Sequence, residues 1–163
     1  MSKSKIKKYI DYIKNEKGLT SNTLEAYIRD ITQFKDYLVQ NNIEDIAQVN
    51  KTVIITYLMY LQKSGKATST ISRNLASIRC FYQYLLNNNI INEDPTHNLR
   101  SPKSERKLPN ILTKAEVDIL LSQPTKNNFK GIRDKAMLEL LYATGIRVSE
   151  IIALNMDNLN LEL

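Results

Sequence analysis

From Ile6 to Leu154 the apolar residues recur at three- and four-residue intervals, a spacing that admits helices and little else. Ile6, Ile10 and Ile13 mark a first helix, ended near Lys17 by a C-cap at Gly18. Thr20, Ser21, Asn22 and Thr23 supply N-cap candidates for a second, whose buried stripe is Leu24, Tyr27, Ile28, Ile31, Phe34 and Leu38. A third, from about Thr52 to Gln62, is apolar on most sides (VIITYLMYL), so it is either central or covered by a partner. Gly65 then breaks the chain. The fold class is mainly α.

The fourth helix, about Ser69–Leu86, carries most of the information. At 100° per residue Ile71, Leu75, Ile78, Tyr82 and Leu85 share one face. Ser69, Ser72, Arg73, Ala76, Arg79 and Gln83 share the opposite one, which is small, polar or cationic. No acidic residue occurs from Ile46 to Asn92, although Lys51, Lys63, Lys66, Arg73 and Arg79 do. An acid-free basic face suits a polyanion, because any carboxylate there repels phosphates. Residues 1–107 hold 17 Lys+Arg against 10 Asp+Glu, whereas residues 108–163 hold 6 against 7, so the excess charge belongs to the first part. The bland alternative is a lysine-rich, solvated surface.

Three of the four prolines, Pro95, Pro102 and Pro109, fall between Asn87 and Asn110, with Arg100, Lys103, Arg106 and Lys107. That stretch reads as an extended, basic linker able to follow a phosphate backbone. The expected domains are 1–88, a linker over 89–110, and a second region over 111–163. The second region opens with Thr113 and Glu116 spaced as a capping box. A helix over about Gly131–Ala143 should bury Ile132, Ala136, Leu140 and Leu141, and Gly145 should end it before a short helix from Val148. Leu159, Leu161 and Leu163 then alternate as a half-buried strand does, which reads as a domain cut short.

Several chemistries are disfavoured. No apolar run approaches the ~20 residues that cross a bilayer. The single cysteine, Cys80, permits no internal disulfide and has no histidine near it in sequence, so it reads as a small core thiol. The single histidine, His97, lacks the companions of a metal site, and no glycine-rich phosphate loop occurs; neither metal nor cofactor is expected. With no apolar leader in MSKSKIKKYI, a cytoplasmic setting is expected.

RDKAMLELLYATGIRVSE (133–150) resembles the first signature box of the tyrosine recombinases, the phage-integrase family. TSNTLEAYIRDITQFKDYL (20–38) and STISRNLASIRCFYQYL (69–85) resemble the core-binding domain of its Xer subgroup, and DPTHNLRSPKSERKLPNILT resembles the interdomain linker. The wording around Arg147 is nearest the XerD branch. The resemblance implies a helical, SAM-like core-binding domain of four or five helices that clamps double-stranded DNA, followed by the helical start of a catalytic domain. It implies cleavage and rejoining of DNA through a 3′-phosphotyrosyl link without metal or ATP, in chromosome dimer resolution. A second, XerC-like subunit in a tetramer is the implied partner.

Carried over by position, Arg147 is the first catalytic arginine and Glu150, one helical turn on, the acidic residue that orients catalytic partners. Thr20, Ser21, Asn22, Thr23, Lys66, Ser69, Ser72, Arg73 and Arg79 are the candidate DNA contacts, with Lys103, Arg106 and Lys107 on the backbone from the linker. The family's lysine, His-x-x-Arg box, further His or Trp and tyrosine nucleophile find no match, so the chain as given is expected to bind DNA rather than cut it. A non-catalytic DNA-binding module, a mobile-element integrase fragment and a helical protein-interaction domain are the alternatives.

Overall fold

The computed structural model describes residues 2–15, 18–102, 110–125 and 128–158, with side chains from Lys5 onward. The chain divides into two compact units, Met1–Arg106 and Lys107–Leu163. All regular structure among the described residues is helical. The first unit holds α1 (Ser2–Asn15), α2 (Ser21–Gln40), α3 (Lys51–Lys63) and α4 (Thr68–Asn87); the second holds α5 (Lys114–Ser122), α6 (Phe129–Thr144) and α7 (Val148–Ile152). The alternating leucines from Leu159 lie outside the described residues.

The first unit is built around α4. Its predicted apolar face is buried throughout: Ile71, Leu75, Ile78, Tyr82 and Leu85 are all at most 5% exposed. Ile31, Phe34 and Leu38 of α2 are buried with it, and Leu24, Tyr27 and Ile28 pack at its edge. α1 adds Tyr9, whose ring meets Phe81 edge-on at 5.0 Å. Each large apolar side chain removed from water in this way contributes about 1.5–3 kcal/mol. α3 starts at an Asn50 cap, whose Oδ1 accepts from the Val53 N–H at 3.1 Å. It buries Ile54, Tyr57 and Leu61 but leaves Ile55, Met59 and Tyr60 facing outward. The helix is therefore amphipathic, not central.

The stretch read as the start of a linker packs on this unit. Ile91, Thr96 and Leu99 are buried, and the Asp94 carboxylate accepts from the Thr96 N–H at 2.8 Å and its hydroxyl at 2.7 Å. Two apolar side chains and an Asx turn thus tie residues 91–99 to the helices.

In the second unit α5 opens with the expected capping box: the Thr113 N–H donates to the Glu116 carboxylate at 2.7 Å, and the Glu116 N–H to the Thr113 hydroxyl at 3.3 Å. Asn128 caps α6 through the Gly131 N–H, and Gly145 ends it in the left-handed region at φ 68°. The stripe expected on α6 is not buried. Ile132 is 55% exposed, Ala136 is exposed, and Leu140 and Leu141 are only half-buried. A helical stripe becomes core only when a second layer covers it, and three helices of this length do not supply one.

Candidate nucleic-acid interface

The relation between α2 and α4 follows from their cross-links. Arg73 donates to the Ala26 carbonyl at 3.4 Å and Ser77 donates to the Asp30 carboxylate at 2.8 Å; each pair is 47 residues apart. With the bonds from Arg73 and Asn74 to Asp30, they join residues 26–30 of α2 to residues 73–77 of α4. Each of the two 20-residue helices starts five residues before that contact, α2 at Ser21 before Ala26 and α4 at Thr68 before Arg73.

Both starts lack a side-chain cap, and neither has an acid in its first turn. Each presents first-turn N–H groups that have no intrahelical acceptor and the positive end of a helix dipole. Thr20, Ser21, Asn22 and Lys66 are exposed there, as is Ser69; Thr23 is half-buried with its hydroxyl 2.9 Å from that of Thr20. Glu25, one turn into α2, is also exposed.

The structure divides the polar face of α4 into two parts with different partners. Arg73 reaches Asp30 at 2.8 Å through Nη1 and keeps 36% of its side chain exposed, while that of Asp30 is 2% exposed. The same carboxylate accepts from the Asn74 amide at 3.1 Å and from Ser77, and Asn74 accepts from the Tyr57 hydroxyl at 3.0 Å. Burial pushes the Asp30 carboxyl above the usual carboxylate range; the Ser77 hydroxyl and Arg73 guanidinium pull it back only in part.

On either side of Arg73, Ser72 and Arg79 turn to the chain itself. Ser72 donates to the Pro102 carbonyl at 3.0 Å. Arg79 donates to the Leu99 carbonyl and, at 3.2 Å, to the Ser101 hydroxyl. A cationic face read from its sequence as open thus spends two of its members on holding residues 99–102. Lys103, Arg106 and Lys107 lie outside the described residues. Sequence reasoning passed over Asp30, Asn74 and Ser77, whose signal is polarity at helix positions that neighbour the apolar stripe.

Arg147 and Glu150 sit in the second unit. Arg147 precedes α7, and the Glu150 carboxylate accepts from its N–H at 2.7 Å and from Nη1 at 2.8 Å. Those two bonds hold Glu150 below the usual carboxylate range, the backbone N–H having the larger effect. The Arg147 side chain remains 81% exposed, so Glu150 orients a guanidinium that stays open to an outside anion. Among the described residues no group of His, Cys, Asp and Glu has the arrangement of a metal site, and no helix is long and apolar enough to cross a membrane.

Residues 6–89 match the phage integrase N-terminal SAM-like domain, and residues 110–163 match the phage integrase family. The chain belongs to the phage integrase family of tyrosine recombinases. Relatives in this family include a Caldanaerobacter subterraneus subsp. tengcongensis protein bearing the name tyrosine recombinase TTE1313, 42% identical over 99% of this chain and 55% of its own length. Tyrosine recombinase XerC of Herpetosiphon aurantiacus is 43% identical over 96% of this chain and 51% of its own. Tyrosine recombinase XerD of Staphylococcus aureus is 42% identical over 96% and 53%. The near-equal identities to XerC and XerD choose neither branch. The chain spans about half the length of these curated relatives. In architecture it is similar to the Tn1549 transposon integrase, solved in complex with circular intermediate DNA, with a TM-score of 0.69 over 97% of this chain and 51% of that one at 18% identity. At that identity the likeness speaks for the phage integrase fold alone.

Proposed function

We propose that this chain is the DNA-gripping half of a Xer-type, site-specific tyrosine recombinase of the cytoplasm. The observation that carries the reading is the pair of helices α2 and α4, joined at Ala26–Asp30 and Arg73–Ser77, whose uncapped, acid-free starts each lie within about a turn and a half of that contact. Two helix N-termini with exposed hydroxyls and Lys66 form a receptor for consecutive phosphates of a duplex. Thr20–Thr23, Lys66, Ser69 and Arg73 are the contacts at that end. Ser72 and Arg79 hold residues 99–102, and the basic residues Lys103, Arg106 and Lys107 are further contacts to the DNA backbone.

In the second unit Arg147 takes the non-bridging oxygens of the scissile phosphate through its planar fork, with Glu150 holding the fork in place. In the whole protein it works with a tyrosine that forms a 3′-phosphotyrosyl link, in an assembly with a second, XerC-like subunit that resolves chromosome dimers. XerD character rests on the wording of the box around Arg147.

The test is fluorescence anisotropy against a 30-base-pair duplex over a salt series. Affinity should fall steeply with salt, and Lys66→Ala should reduce the logarithmic slope by about one. A salt-independent affinity, or an unchanged slope in Lys66→Ala, would remove these helix starts as the phosphate receptor.

A further inference from the structure

Arg73 stands at the proposed DNA end of α4, yet it is paired with a buried carboxylate. That pairing is a poor arrangement for phosphate neutralisation, because Asp30 at 2.8 Å cancels the guanidinium's charge at any distance beyond the pair. It is a good arrangement for directional hydrogen bonding. Both bonds that Arg73 makes among the described residues, to Asp30 and to the Ala26 carbonyl, use Nη1. Among the described residues the Nη2–Nε edge makes no bond, which leaves a two-donor fork on a side chain that is 36% exposed. Asp30 cannot follow the arginine outward: it is also bonded by Ser77 at 2.8 Å and Asn74 at 3.1 Å, and Asn74 is held in turn by Tyr57. The guanidinium plane is therefore set from inside the core, and ordering an arginine that is already ordered costs little rotamer entropy on binding.

We propose that Asp30 is a positioning residue that fixes the plane of Arg73, so that the free Nη2–Nε edge reads a guanine in the major groove instead of a phosphate. A two-donor fork matches the O6 and N7 acceptors of guanine, and a neutral ion pair adds specificity without adding to non-specific attraction. The inference rests on the reading that the α2 and α4 starts face a duplex.

The experiment is a selection from a pool of randomised 30-base-pair duplexes, with sequencing of the bound fraction, on the full chain and on Asp30→Asn, Arg73→Lys and the double variant. The wild type should enrich a guanine at one fixed position. Asp30→Asn and Arg73→Lys should each lose about tenfold of that preference. The double variant should be no worse than Arg73→Lys, since Asp30 acts through Arg73. The salt slope of Arg73→Lys on an unselected duplex should match the wild type and that of Asp30→Asn should steepen, because its guanidinium is no longer neutralised; misfolding would give neither. If Asp30→Asn loses its helical circular-dichroism signal, Arg73→Lys decides alone, because it keeps the charge and loses the fork. A retained guanine preference in Arg73→Lys, or additive losses in the double variant, overturns the proposal. A wild type that binds duplex with a salt slope but enriches no guanine overturns it while leaving the phosphate receptor intact. A wild type without salt-dependent binding overturns the DNA reading itself and this inference with it.

Discussion

At the scale of single residues, the unit depends most on a polar cluster in its core. Asn74 is 1% exposed and links two groups: its carbonyl oxygen takes the Tyr57 hydroxyl and its amide serves Asp30 and the Thr70 carbonyl. Asn74→Ala leaves the Tyr57 hydroxyl and one Asp30 oxygen without partners, and each such buried group costs about 1–3 kcal/mol. A fall in the urea midpoint with an unchanged m-value is the expected result, and a shift within error would mean that water replaces the amide. That Arg147 and Glu150 meet was legible in the sequence, because they stand one helical turn apart. Asp30 was not, because a lone aspartate inside an amphipathic helix carries no mark of its three donors. Those come from α4, 43 to 47 residues away.

At the scale of elements, apolar period gave the helices and the stripe of α4 nearly residue for residue. It did not give the use of the opposite face. Periodicity reports that Ser72, Arg73 and Arg79 point away from Leu75, but not whether solvent, DNA or another segment meets them. The segment 99–102 takes two of the three, since the burial of Leu99 draws its neighbours within reach of Arg79 and Ser72. Arg79→Ala should therefore release this stretch: trypsin should cut at Arg100 several-fold faster, while duplex affinity should fall less than for Lys66→Ala. A loss of affinity equal to that of Lys66→Ala, with unchanged proteolysis, would return Arg79 to the DNA surface. The outward residues of α3 mark the same limit, for an all-apolar run such as VIITYLMYL does not say which of its sides finds a partner.

At the scale of the molecule, the two units differ in kind. The first closes a core of its own, with a dozen large side chains below 2% exposure. The second, among its described residues, buries only Gly131 and Ile151, while Ile111 at 90%, Phe129 at 93% and Ile152 at 73% face outward. Apolar side chains exposed in such number mark a surface that another apolar surface would cover. The consequence is an asymmetry that one comparison measures. A chain ending at Pro109 keeps every described core residue of the first unit, so it should melt cooperatively at nearly the midpoint of the full chain and keep most of its salt-dependent duplex affinity. The full chain should bind far more of a hydrophobic dye, and the shortened one little. Equal dye binding would mean that the apolar faces of α5–α7 are covered in solution, and a lost transition in the shortened chain would mean that the first core needs the second unit. The outcome expected here makes the grip on DNA a property of residues 1–109 and leaves Arg147 on a unit that reaches its final packing only when its apolar faces are covered.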